Sequence, residues 1–154
     1  MALNRELVGR EYPAPAPYEV SRELIRRFAV AIGDDNAAYV EPAAARALGH
    51  RDVLAPPTFL TVLTFRYAAS SPVVDPDLGL DYSRVVHGEQ RFVAHRPVVA
   101  GDVLRVSSTV TDIRTAGANE LLSVRTGVSD DATGELVADL HSTLVSRGTA
   151  PAEG

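Results

Sequence analysis

The sequence predicts one α+β domain in which an antiparallel sheet wraps a central helix. Three observations predict it. Apolar residues recur at helical spacing early in the chain, at Leu24, Ile25, Phe28, Ala29 and Ile32. Residues 57–70 are apolar around most of a helical cylinder, as in a buried helix. From Arg84 onward the apolar period changes to two, the signature of strands with one buried face. Helices segregated from antiparallel strands indicate α+β rather than alternating α/β. A length of 154 residues suits a single domain with its own core.

Taken in order, residues 1–20 read as an extended arm, because Pro13, Pro15 and Pro17 each fix φ and lack an N–H. Ser21 is a natural N-cap, with Glu23 where a helix start favours negative charge and Gly33 as the stop. A short second helix runs from Pro42 to Leu48, with proline at its start and Gly49 past its end. Phe59, Leu60, Val62, Leu63, Phe65 and Tyr67 make the third helix, followed by a turn at residues 75–79. The first long strand places Val86, Gln90, Phe92 and Ala94 on one side and His87, Glu89, Arg91 and His95 on the other. Three more strands follow as a meander around Leu104–Val110, Leu122–Val128 and Leu136–Leu144, with turns at residues 117–119 and 130–134. The domain is expected over residues 1–146, with a frayed tail at 147–154.

Composition removes several function classes. The formal net charge of −5 argues against a nucleic-acid partner, which favours a basic surplus. The chain has no cysteine, which excludes disulfides, thiolate metal sites and cysteine nucleophiles. All 15 basic residues are arginine, so Schiff-base chemistry and a lysine-bearing phosphate loop are excluded too. The longest apolar stretch is cut by Pro56 and Pro57 and is too short to span a membrane. Arg5, Glu6 and Arg10 interrupt any apolar leader, so the expected location is the cytoplasm.

Four further stretches carry a resemblance. Residues 31–39, Ala-Ile-Gly-Asp-Asp-Asn-Ala-Ala-Tyr, resemble the G-D-x-N-P-[IL]-H motif of the MaoC-like (R)-specific enoyl hydratases and dehydratases. Leu54-Ala-Pro-Pro-Thr-Phe-Leu60 sits where that family turns, through [VI]-x-H-G-M, into its central helix. Arg96-Pro-Val-Val-Ala-Gly-Asp102 looks like its F-x-x-P-V-x-x-G-D strand. Val86-His-Gly-Glu-Gln-Arg-Phe92 looks like the non-catalytic, N-terminal half of two-domain enoyl hydratases. Nearly the whole chain is similar to small actinobacterial HadA-like subunits of 3-hydroxyacyl thioester dehydratases. The resemblance implies a hotdog fold and an acyl-thioester ligand carried on acyl carrier protein or coenzyme A, in fatty-acid metabolism.

Two departures from the motif bear on activity. In catalytic members the aspartate and the histidine five residues later handle the proton. Here Asp34 matches the aspartate but Tyr39 stands at the histidine position. A phenol with a pKa near 10 is a poor base near neutral pH. Pro57 stands where the family has a glycine whose N–H binds the thioester oxygen, and proline has no N–H. The resemblance therefore implies no catalytic residue here, only the degenerate positions Asp34, Asn36, Tyr39 and Pro57. Tyr39, Pro57, Thr58, Phe59, His87 and Gly88 are the candidate substrate-binding residues. The implied partner is a catalytic MaoC-like hotdog subunit in a heterodimer, or a second copy in a homodimer.

Each residue also has a plainer reading. Asn36 suits a turn, Tyr39 suits core packing with a bonded hydroxyl, and Asp102 suits a turn after Gly101. His50, His87, His95 and His141 show no i, i+4 pair, so no metal site is indicated, and no cofactor is called for. His50 is expected at the surface, and Gly88 within a strand suggests a bulge. Two alternatives stay open. One is a self-sufficient homodimeric hydratase or thioesterase with a relocated base at Asp34, His87 or Glu89. The other is an acyl-thioester binding or scaffold protein without chemistry.

Overall fold

The computed structural model describes residues 2–151. It is a single hotdog fold whose open antiparallel sheet wraps a central helical segment. The strands are β1 (Glu11–Pro13), β2 (Tyr18–Glu19), β3 (Val85–Ala94), β4 (Val103–Ala116), β5 (Asn119–Asp130) and β6 (Leu136–Ser146). The helices are α1 (Arg22–Ile32), α2 (Pro42–Ala47) and α3 (Thr61–Arg66). Among the described residues no helix is long and apolar enough to cross a membrane.

Local chemistry sets α1 as expected. The Ser21 hydroxyl accepts from the Leu24 N–H at 3.2 Å, and Gly33 closes the helix with φ 71°. A side chain at that left-handed position would be strained, which is why glycine stops the helix. The central segment is less regular than expected. Turns over residues 57–60 lead into α3, and a 3-10 turn at Ala68–Ser70 follows. Thr58, Thr61, Val62 and Thr64 are β-branched and poor helix formers, and the Thr64 hydroxyl bonds the Thr61 carbonyl at 2.8 Å. Nor is the segment buried all round. Phe59 and Leu63 are fully buried, whereas Phe65 is 77 % exposed.

The strand order is β1-β4-β5-β6-β3, so the meander covers β4 to β6 and β3 is not part of it. The arm explains this. Tyr12 pairs with Ser108 and Tyr18 with Leu104, occupying the free edge of β4. β3 therefore pairs with β6 and forms the opposite edge. A bulge between His87 and Glu89 also corrects the expected facing of β3. The extra residue, Gly88, flips the alternation, so His87 lies opposite Leu144 and shares a face with Gln90 (opposite Ser142) and Phe92 (opposite Leu140). Glycine suits the bulge, because a Cβ there would lie tightly, 3.1 Å from Val145 Cγ2 and 3.2 Å from the Thr143 carbonyl, and would push on both.

Two apolar clusters fill the fold. The larger unites Ile25, Tyr39, Phe59, Leu63, Val128 and Leu140. The smaller joins Leu3 and Leu7 of the arm to Leu78, Val110 and Leu122. Between them the inner sheet face carries polar pairs, Ser108 with Thr126 at 2.8 Å and Ser142 with Gln90 at 2.7 Å. The first residues past β6 are tied to the sheet. The Arg147 N–H bonds the Arg84 carbonyl, Gly148 bonds the Asn119 side chain, and Thr149 is buried. Residues 152–154 of that tail lie outside the described residues.

Candidate functional site

An open cleft of about 420 Å³ lies between the motif loop, the start of the central segment and the ends of β3 and β6. Its walls are mainly apolar: Tyr39, Leu54, Pro56, Pro57, Leu60 and Val98. The loop geometry follows from short polar caps. Asp34 accepts from the Asn36 N–H at 3.2 Å, and Asn36 caps the 3-10 turn Ala37–Tyr39 by accepting from the Ala38 N–H at 3.0 Å. That turn directs Tyr39 inward, where it is 6 % exposed. Burial and the Asp34 charge push the Tyr39 phenol up from its ordinary value, and Asn36 opposes them only in part. Opposite it, Leu54 bridges to Val99, and the Ala55 N–H bonds the Val98 carbonyl at 2.8 Å, which fixes the path into Pro56 and Pro57.

The floor is held by ions. The buried Asp102 accepts from the Val99 N–H at 3.0 Å, from Arg96 at 2.9 Å and from Arg51. Arg96, itself part of the cleft lining, also bonds Asp130 at 3.1 Å. So Asp102 is a hub and not only a turn residue. On the sheet, Asp139 bonds His95 at 2.9 Å and Arg125 at 2.7 Å. Burial alone would raise the Asp139 carboxyl, but the His95 hydrogen bond and the Arg125 charge outweigh it and hold it below the ordinary carboxylate value. A depressed folded pKa means stability that is present above the unfolded value, near 4, and lost as pH falls through the folded one. Asp139→Asn should therefore lower the thermal midpoint at pH 7 and converge with the unchanged protein once the pH has fallen through the depressed Asp139 range. An equal deficit at both pH values would contradict this.

The sequence pattern described as "FAS1-like, dehydratase domain region" matches residues 6–140. A UPF0336 protein of Streptomyces coelicolor is 54 % identical over 99 % of this chain and 100 % of its own. The chain belongs to the MaoC-like hotdog dehydratase and hydratase family. Two solved structures agree with that placement. The HadBC (3R-hydroxyacyl-ACP dehydratase) complex from Mycobacterium tuberculosis superposes with a TM-score of 0.79 at 31 % identity, over 90 % of this chain and 96 % of that one. A MaoC-like dehydratase superposes with a TM-score of 0.83 at 33 % identity, over 92 % of this chain but 42 % of that one.

Within this family frame the cleft brings together only some of the expected residues. Tyr39 and Pro57 line it. Asp34 and Asn36 are exposed on the loop and serve as turn caps. Thr58 is exposed, and Phe59 points into the core, edge-on to Phe28 at 5.6 Å between ring centres. His87 and Gly88 lie at the β3 bulge, outside the lining residues, and so does Glu89. Sequence reasoning missed His50, His95 and Arg96, all of which line the cleft. His50 follows the Gly49 turn, where φ is 90°, and is half-buried rather than at the surface. No spacing signal marks these three residues, because the cleft joins loops distant in the chain.

Proposed function

We propose that this chain is the acyl-thioester-holding subunit of an (R)-3-hydroxyacyl thioester dehydratase, of the HadA-like type, and has no dehydratase machinery of its own. The observation that carries the reading is that Tyr39 and Pro57 line one cleft. At the base position stands a buried phenol pushed away from neutral titration. At the oxyanion position stands a residue without an N–H. The apolar walls suit an acyl chain, delivered on acyl carrier protein or coenzyme A. A catalytic MaoC-like partner with an intact Asp-x4-His motif supplies the chemistry. Similarity to a chain of the HadBC complex supports a two-chain arrangement, and so does a match to less than half of a MaoC-like dehydratase. The unpaired β3 edge and the exposed Phe65 are surfaces a partner subunit would cover.

The test is hydration of a trans-2-enoyl thioester, followed by loss of its conjugated absorbance. The chain alone should give no turnover above background, and adding the catalytic partner should restore it. Clear turnover by the chain alone would reject the reading. One observation favours a second reading, a self-sufficient enzyme: His50 and His95 are imidazoles at the cleft. In that case alanine at one of them abolishes the turnover seen without a partner.

A further inference from the structure

We infer that the outer face of the sheet holds a phosphate group, free or esterified, on a row of three basic side chains, Arg91, His141 and Arg125. The row runs straight across three strands. His141 of β6 lies directly opposite Arg91 of β3 on one side and directly opposite Arg125 of β5 on the other. Its neighbour Leu140 is buried in the core, so His141 and both arginines project from the other face. Directly opposed side chains stand about 5 Å apart, and like charges so placed repel. The chain relieves that repulsion only in part. Asp139 takes Nε and Nη2 of Arg125 at 2.7 and 2.6 Å. Arg91 is exposed, and among the described residues it makes no ion pair.

A phosphate over His141 answers the row. Arg91 and Arg125 are two strand spacings apart, about 9.5 Å between backbones, which their long side chains span from both sides. Guanidinium forks match phosphate oxygens with paired N–H donors, and even a neutral imidazole has one N–H to give. A dianion suits this span better than one carboxylate, which has a single charge to share between two guanidinium groups. Asp139 orients Arg125 by one edge and leaves its Nη1 free. Beside Arg125 the face opens into a groove of about 230 Å³ over Gly127. Thr109 lies directly opposite Arg125 there, and Ser107 directly opposite Gly127, so the groove offers hydroxyls to whatever the phosphate is esterified to. Three carboxylates bound the site. Asp139 is spent on Arg125 and His95. Glu11, opposite Thr109, closes the far end of the groove and keeps the anion on the β6 side. Glu89 is exposed two residues from Arg91 and competes for it. None of the three basic residues lines the cleft, and the inference does not depend on the acyl-thioester reading.

The experiment follows the His141 imidazole by NMR while inorganic phosphate is added to the full chain at fixed pH. The chain has four histidines, and His141→Gln assigns the signal. The signal should shift saturably, with a midpoint on the order of 1 mM, as suits a few exposed charged contacts. Chloride at matched ionic strength should not move it. Arg91→Gln should weaken binding about fivefold, because it removes a charge that pairs with nothing within the chain. Glu89→Gln should tighten binding about twofold by removing the competitor. Circular dichroism shows that both variants fold. Coenzyme A and its 3′-dephospho form separate the sources. A midpoint for coenzyme A well below that of phosphate, lost without the 3′-phosphate, identifies a nucleotide ester; no gain over phosphate identifies the free ion. A linear or absent response to phosphate, the same response to chloride, an unchanged midpoint in Arg91→Gln, or weaker binding in Glu89→Gln would each overturn the inference.

Discussion

Phe59→Ala should lower stability by about 3–5 kcal/mol, the cost of emptying a well-packed aromatic site. Phe59 is fully buried among Ile25, Leu63 and Leu140, and its ring meets Phe28 edge-on at 84° between planes. The geometry adds a contribution beyond area burial. Two ends of the fold meet at this ring, since α1 supplies Phe28 and the inner sheet face supplies Leu140. Neither can collapse into the hole without breaking its own hydrogen bonds. For a chain of this size the thermal midpoint should fall by roughly 10 °C. Thr58 is the control. It is one residue earlier but exposed, and Thr58→Ala should change stability by no more than about 0.5 kcal/mol. A loss below about 1 kcal/mol for Phe59→Ala would mean that the ring faces ligand space rather than the core.

The contrast between Thr58 and Phe59 shows where a sequence is legible. Features set by a few consecutive residues came through. The Ser21 cap, the Gly33 stop and the Gly88 bulge each rest on one side chain, or its absence, acting within a turn. The alternation of β5 came through because one face is buried along nearly the whole strand, whereas β4 keeps it only as far as the bulge after Val110 and β6 is buried on both faces from Val137 to Leu140. The place of β3 did not. Its neighbour is decided by competition for the β4 edge, which the arm wins through pairs nearly 100 residues apart, such as Tyr12 with Ser108. The flipping of His87 was missed for a related reason. A bulge inserts one residue into the period, and period counting carries that error through the rest of the strand.

The site divides the same way. Tyr39 and Pro57 were legible as degenerate positions through the resemblance, and the structure places both at one cleft. His50, His95 and Arg96 were not, because the 50s loop and the end of β3 meet only in the fold. Phe59 is among the candidate ligand contacts and lies two residues after Pro57. In the turns of residues 57–60 adjacent side chains diverge, so Pro57 faces the cleft and Phe59 the core.

Asp102→Asn should cost about 2–4 kcal/mol, more than its position in a turn suggests. Asp102 is 2 % exposed and receives the Val99 N–H and the guanidinium groups of Arg96 and Arg51. Its backbone is tied as well, since the Val20 N–H bonds the Asp102 carbonyl and the Gly101 N–H bonds the Val20 carbonyl, both at 2.8 Å. Asparagine keeps the shape but loses the charge, and its amide N–H groups face arginine donors. Breaking a fully buried pair costs about 3–5 kcal/mol, and the lower figure here reflects cations that reach water. Arg51 is well exposed, so Arg51→Ala should cost less than about 1 kcal/mol. Arg96 is less exposed and has Asp130 as a second partner. Arg96→Leu made on top of Asp102→Asn should therefore cost less than on the unchanged chain, because the stranded cation has already lost its main partner. Additive losses would show that Asp102 acts through its backbone turn alone. Arg96 and Val98 line the cleft, so this network joins the cleft wall to the buried Asp102.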